Sequence, residues 1–288
     1  MKKFMSVFWK VCAGLFLLGA IMVLITGAIG GGSMVREIVR SNMTVWPWHC
    51  LGSFNENHLS LEIRDNDYPI MEGNVEKREI GNGSELEELN VELDAGLLNI
   101  EPTEGNSVYV SSRNAANFQC YIEDNTLYFA GFENDPGDFV NFDSNMAVTI
   151  YLPENLQLNQ VLLRVDAGEL DMNGVQAANL EADMDAGALK MKEMQVGNAI
   201  MDLDMGEMIY EGEVTGNLTG SVDMGDLKCQ LAGSEQDYDY TIDCDMGSVT
   251  VGGNSYSGFS TTQESQSGMD RQIDLECSMG NITVRFDK

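Results

Sequence analysis

An all-β fold is predicted for most of this chain: a parallel β-solenoid, single-stranded and β-helix-like, with rungs of about 19 residues, preceded by one N-terminal transmembrane helix. Three observations predict it. A short triplet recurs along the sequence, apolar residues alternate on both sides of each copy, and one long apolar run stands near the N-terminus. The triplets are Asp94-Ala95-Gly96, Asp166-Ala167-Gly168, Asp185-Ala186-Gly187, Asp204-Met205-Gly206, Asp223-Met224-Gly225, Asp245-Met246-Gly247 and Ser278-Met279-Gly280. Those beginning at 166, 185, 204 and 223 lie 19 residues apart, and a fixed period near 20 is how stacked repeats show themselves.

The first element is the apolar run. Lys2, Lys3 and Lys10 precede 19 uncharged residues from Val11 to Ile29, close to the roughly 20 that a membrane-spanning helix needs. Basic residues ahead of the run, and Trp9 at its edge, orient the N-terminus to the cytoplasm and place the rest of the chain outside. Thr26-Gly27-Ala28 offers a competing cleavage site, but the run exceeds the roughly 7–15 residues of a signal-peptide core, which favours a retained anchor. Residues 1–32 are therefore assigned to the cytoplasmic N-terminus and anchor, 33–84 to an extracytoplasmic stem and 85–288 to the repeat domain. The expected localisation is a single-pass protein of the cell membrane with its C-terminal domain outside.

Within the repeat domain each triplet sits between two strand segments. Leu98 and Ile100, Leu170 and Met172, Leu189 and Met191, Leu227 and Cys229, Val249 and Val251 alternate after their triplets. Leu89, Val91 and Leu93, or Leu180, Ala182 and Met184, alternate before theirs, and period two is the strand period. The residue just ahead of the triplet is apolar throughout, as Leu93, Val165, Met184, Leu203, Val222, Cys244 and Cys277, and is assigned inward. The acidic first residue is assigned outward. The second residue changes from Ala to Met toward the C-terminus, read as packing because Met fills irregular gaps, with a metal-binding methionine surface as the lesser alternative. The 72-residue interval between Asp94 and Asp166 holds further strands and the acidic loop Glu133 to Asn145, and Ser255 to Asp270 reads as an inserted loop.

Charge narrows the partners. The chain holds 16 basic and 46 acidic residues, and residues 41–288 alone carry a net of −34. Such an excess repels nucleic acid, so no nucleic-acid partner is expected. The bland reading is a solvated exterior; the sharper one is calcium on the Asp column together with Glu169, Glu207 and Asp226. Against calcium, the glycine-dense nonapeptide of calcium-binding repeats is missing. Six cysteines are present, and Cys244 and Cys277 share one inward column, close enough for a disulfide if their geometry allows. Buried cysteines equally serve as small hydrophobes.

Chemistry is sparse. The two histidines, His49 and His58, fall in the stem beside Trp46-Pro47-Trp48, neither at metal-ligand spacing. No nucleophile elbow or phosphate-cradling loop occurs. Arg164, Lys190, Lys192, Lys228 and Arg271 stand isolated among acids, although Lys190 and Lys192 share one outward strand side. No catalytic, cofactor-binding or metal residue is assigned, no cofactor is expected, and the chain is not read as an enzyme.

The Asp-Ala/Met-Gly triplets with their alternating flanks, the segment Val148-Thr149-Ile150-Tyr151-Leu152-Pro153 and the opening Leu93-Asp94-Ala95-Gly96-Leu97-Leu98-Asn99-Ile100-Glu101-Pro102 resemble the bacterial DUF4097 family over about residues 85–288. The resemblance implies a membrane-anchored candidate adhesin with β-strand repeats and brings no catalytic residues. The expected function is a non-catalytic, adhesin-like or scaffold protein at the cell surface. The alternatives are an accessory or sensory component of an envelope-stress response, acting through the stem from Ser41 to Glu76, and a carbohydrate-active enzyme. Expected partners are a glycan, wall polymer or protein, with the membrane through residues 11–29. Exposed terminal rungs also predict edge-to-edge self-association.

Overall fold

A computed structural model of the protein describes residues 67–131, 146–265 and 268–287. The chain divides into units 1–59 and 60–288, and the described residues all belong to the second. The apolar run 11–29, the histidines, the stem tryptophans and the whole acidic loop 133–145 lie outside them. Among the described residues no helix is long and apolar enough to cross a membrane.

Strands dominate because the alternation dictates them. In chain order they are β1 (Met71–Asn82), β2 (Glu88–Leu93), β3 (Leu97–Thr103), β4 (Ser107–Glu123), β5 (Thr126–Gly131), β6 (Ala147–Pro153), β7 (Gln157–Val165), β8 (Gly168–Asn173) and β9 (Gln176–Val214). After these come β10 (Asn217–Ala232), a 3-10 turn at Glu235–Asp237, β11 (Tyr238–Val251), β12 (Asn254–Ser265) and β13 (Arg271–Asp287). The first triplets separate β2 from β3 and β7 from β8. The later ones are corners inside the longer strands β9, β10, β11 and β13. Strand β1 falls in the span assigned to the stem and pairs antiparallel with β4.

The expected parallel solenoid is overturned by the pairing. Strands β9, β7, β2, β5, β4, β6, β3 and β8 pair in that order, and β8 returns to β9, so eight strands close on themselves as a barrel. Closure depends on β4, which runs antiparallel to its neighbours: Val110 opposes Ile150 of β6 and Cys120 opposes Phe129 of β5. A uniform set of parallel rungs contains no such strand. The 19-residue period survives as a register, setting Val161 against Leu180, Leu170 against Leu189 and Leu203 against Val222. Leu93, Val91, Ile100, Val110, Leu127, Phe129, Ile150 and Val165 are fully buried. An eight-stranded barrel is just wide enough for such side chains to fill, and each one removed from water contributes about 1.5–3 kcal/mol.

Beyond β9 the sheet continues through β10, β13, β11 and β12. Strand β13 slots between β10 and β11, pairing Val222 with Cys277 and Cys244 with Cys277, all in parallel. The expected inserted loop at 255–270 is largely β12, antiparallel to β11 at the edge of the sheet. Its described side chains are exposed or half-buried, and Ser255, Ser257, Thr261 and Thr262 give that edge a polar character. The inward column holds as assigned, with Leu93, Val165, Met184, Leu203, Val222, Cys244 and Cys277 all buried.

Candidate functional site

Inward residues of β3, β4, β6 and β8 fix where their alternate neighbours point. Because Leu98, Ile100, Val108, Val110, Val148, Ile150, Leu170 and Met172 fill the interior, the residues between them face outward. Backbone register then sets Tyr109 beside Tyr151 and Tyr151 beside Glu101. It sets Asn99 beside Asp171, Asp171 beside Lys190 and Asn173 beside Lys192. This outward face crosses five strands, about 19 Å at the usual strand spacing.

Part of it forms an open depression of about 420 Å³ whose polar lining is Asn99, Glu101, Asp171, Asn173, Lys190 and Lys192. Lys190 Nζ donates to Glu169 and lies 3.7 Å from Asp171 Oδ1. The hydrogen bond to Glu169 is the main cause holding the Lys190 ammonium above its ordinary range, with the nearby Asp171 charge adding to it. Asp171 Oδ1 is shielded from solvent and accepts no hydrogen bond, so its ion pair with Lys190 is its principal compensation. At the other end Lys77 Nζ stands 3.9 Å from the Tyr151 ring centre and 4.8 Å from that of Tyr109, and it donates to Thr103 Oγ1 at 3.3 Å. Tyr151 Oη and Ser111 Oγ are 3.4 Å apart. Rings, amides, carboxylates and ammonium groups thus share one surface held by a rigid barrel.

The cations named from sequence are distributed otherwise. Lys190 and Lys192 do come together on this face, whereas Lys228 donates to Glu207 on the extension and Arg164 lies 3.9 Å from Asp183. Arg271 pairs with Glu213 at 2.9 Å and donates to Tyr238 Oη at 3.2 Å. The acids proposed to join the Asp column in holding calcium are engaged with other groups: Glu169 and Glu207 by those lysines, and Asp226 by Asn281 Nδ2 at 2.7 Å. Among the described residues no group of three or more His, Cys, Asp or Glu side chains could hold a metal ion. Cys244 and Cys277 are buried free thiols, and burial, with a hydrogen bond to the Cys244 sulfur, pushes Cys277 up to about 12.

Sequence reasoning missed Lys77, Tyr109, Tyr151 and the amides of Asn99 and Asn173. A signal for the tyrosines existed, since each sits between two inward aliphatics, Val108 and Val110 or Ile150 and Leu152. It also misjudged the corner methionines. Met205, Met224, Met246 and Met279 are 51, 46, 45 and 42% exposed rather than packed.

Comparison with protein families gives one match, Toastrack DUF4097, over residues 57–218, more than half of the chain. The chain belongs to the Toastrack DUF4097 family. The outward face of this Toastrack protein lies wholly inside the matched span, while β13 and most of the extension lie past it. No curated protein matches the chain. Among solved structures it is similar to a candidate cell adhesion protein from Clostridium sporogenes at 16% identity and a TM-score of 0.40, covering 74% of this chain and 98% of that one. It is similar to a candidate adhesin from Bacteroides fragilis at 13% identity and a TM-score of 0.31, covering 75% and 97%. A candidate lipid binding protein from Parabacteroides distasonis is also similar, at 17% identity and a TM-score of 0.28, covering 75% and 98%.

Proposed function

We propose that this chain is a non-catalytic, adhesin-like protein that holds a hydroxyl-rich polymer, a glycan or wall polysaccharide, on the outward face of its barrel. The observation that carries the reading is the alignment of Tyr109 and Tyr151 with Asn99, Glu101, Asp171, Asn173, Lys190 and Lys192 in register on neighbouring strands. Side-chain amides and paired ions offer donors and acceptors at strand spacing, and tyrosines offer an apolar body with a polar tip. A repeating ligand suits a repeating surface. Two carboxylates of this face, Glu169 and Asp171, share the Lys190 ammonium, an arrangement suited to holding a ligand. The apolar run at 11–29 and the acidic composition support a position at the outer side of the cell membrane.

The test is binding of the full chain to arrays of bacterial and host glycans and wall fragments, with and without calcium. Saturable binding that weakens at least tenfold in Tyr151→Ala and in Asp171→Ala supports the reading. Binding that ignores both substitutions moves the site elsewhere. No binding to any array member favours a protein partner and the envelope-stress alternative.

A further inference from the structure

We propose that the four exposed corner methionines, Met246, Met279, Met224 and Met205, form a binding row for a soft monovalent metal ion, copper(I), on the extension of the sheet. Backbone register places Met246 beside Met279, Met279 beside Met224 and Met224 beside Met205, so four thioether side chains stand on four consecutive strands. All four are 42–51% exposed. Packing does not explain them. The same corner position holds Ala95, Ala167 and Ala186 in the earlier copies of the triplet, so the turn itself accepts a methyl group. Four long apolar side chains turned to water at one edge are costly to leave unused.

Their chemistry and spacing select the ligand. Thioether sulfur is a soft, neutral donor that selects copper(I) over calcium, magnesium or zinc. Adjacent strands lie about 4.8 Å apart, close to two metal–sulfur bonds of about 2.3 Å placed end to end, taking the zinc–sulfur length as the guide. One ion can therefore bridge neighbouring methionines. A cation on neutral ligands needs compensating charge, and Asp245, Asp223 and Asp204, each the residue before its methionine, are exposed beside the row. Ser278 takes that place on the fourth strand and donates to Asp223 Oδ1 at 3.4 Å.

The corner is also held rigidly. A Cβ on Gly206, Gly225, Gly280 or Gly247 would fall 1.7–2.4 Å from the carbonyl oxygen of the neighbouring corner glycine. The four corners are thus stacked backbone on backbone, and the methionine Cα atoms keep strand spacing whether or not an ion is present. Row, exposure, flanking charge and rigidity are independent of the polymer-binding face, which shares only β9 with the row and uses Lys190 and Lys192 there rather than Met205.

The experiment uses the full chain with its accessible thiols alkylated, titrated anaerobically with copper(I) buffered by a chromogenic chelator. It is run beside a variant carrying Met205→Ala, Met224→Ala, Met246→Ala and Met279→Ala, the residue that the earlier corners already use. The wild-type chain is expected to take up at least one equivalent, at an affinity at least tenfold above the variant, and the methyl NMR signals of the four methionines are expected to shift. Met224→Ala alone, which interrupts the middle of the row, is expected to lose much of the affinity while keeping the circular dichroism of the wild type, so the result does not rest on the fourfold variant folding. Equal uptake by wild type and both variants would place copper on thiols or other methionines and overturn the proposal, as would no uptake at all. Displacement by a tenfold excess of calcium would assign the ion to the aspartates and overturn it equally.

Discussion

At the residue scale the inward and outward assignments of one corner are separable by substitution. Val222 is 1% exposed and faces Leu203 and Cys277 across the sheet, while Asp223 next to it is exposed. A carboxylate at the first position would be buried without a partner, a cost of several kcal/mol that exceeds what marginal stability tolerates. Val222→Asp is therefore expected to abolish the cooperative thermal transition, whereas Asp223→Asn should shift stability by less than about 0.5 kcal/mol. Equal effects would mean that the corner is turned the other way. The glycine of the triplet gives a second test. Gly187 has φ +121°, and a Cβ there would sit 2.0 Å from the carbonyl oxygen of Gly168, so backbone rather than a flexible side chain must move. Gly187→Ala is expected to cost more than about 2 kcal/mol in denaturant unfolding. Gly253→Ala should cost less, because nothing lies within 4 Å of its Cβ, leaving only the strain of φ +95°.

At the element scale the strands differ in what holds them. Buried aliphatics line β2 at Leu89, Val91 and Leu93 and β7 at Leu158, Val161, Leu163 and Val165, whereas the described side chains of β12 are exposed or half-buried and its one strand partner among the described residues is β11. Opening β12 therefore exposes little apolar surface. Hydrogen exchange should show β12 amides exchanging through local opening, many-fold faster than those of β2 and β7, which need the barrel to unfold. Uniform protection would show that the edge is covered by something further. The same contrast explains what the sequence made legible. Strand identity, corner glycines and the inward column could be read because each depends on residues within about 20 positions of one another, and period two reports in against out directly. Strand order could not. All copies of the triplet carry the same alternation, so Cys277 matches Val222 across 55 residues as well as it matches Cys244 across 33. Nothing local announces that β13 enters between β10 and β11, or that β4 turns antiparallel and closes the barrel. The candidate face was hidden for the same reason: Tyr151 meets Ser111 across 40 residues. Only its Lys190 and Lys192 shoulder, two residues apart on one strand, was visible.

At the scale of the whole molecule the acidic excess is not evenly distributed, because the register stacks the triplet aspartates along one corner. The Asp185 carboxyl is held above the ordinary range, first by burial and then by the charge of Asp166, with Arg164 pulling the other way. Asp204 is raised by burial and then by Asp185, Asp223 and Asp202. A carboxyl raised in the folded state binds its proton more readily there than in the unfolded chain, so protonation favours folding. That contribution is fully present below the ordinary carboxyl value, near 3.8, and is lost as pH rises through the elevated folded values. Stability should therefore increase as pH is lowered through those elevated values toward the ordinary carboxyl value near 3.8. A protein whose carboxylates are mostly held low by salt bridges does the opposite. The net charge of −30 adds self-repulsion of the same sign, which added salt screens. Asp204→Asn removes one of the raised groups and relieves its neighbour Asp185. Its melting temperature should equal or slightly exceed that of the wild type at pH 8, with a shallower rise on acidification and a weaker response to salt. Melting curves at several pH values and two ionic strengths decide the matter. A wild-type melting temperature that falls steadily over that acid range would show that the stacked corner aspartates do not govern the acid response.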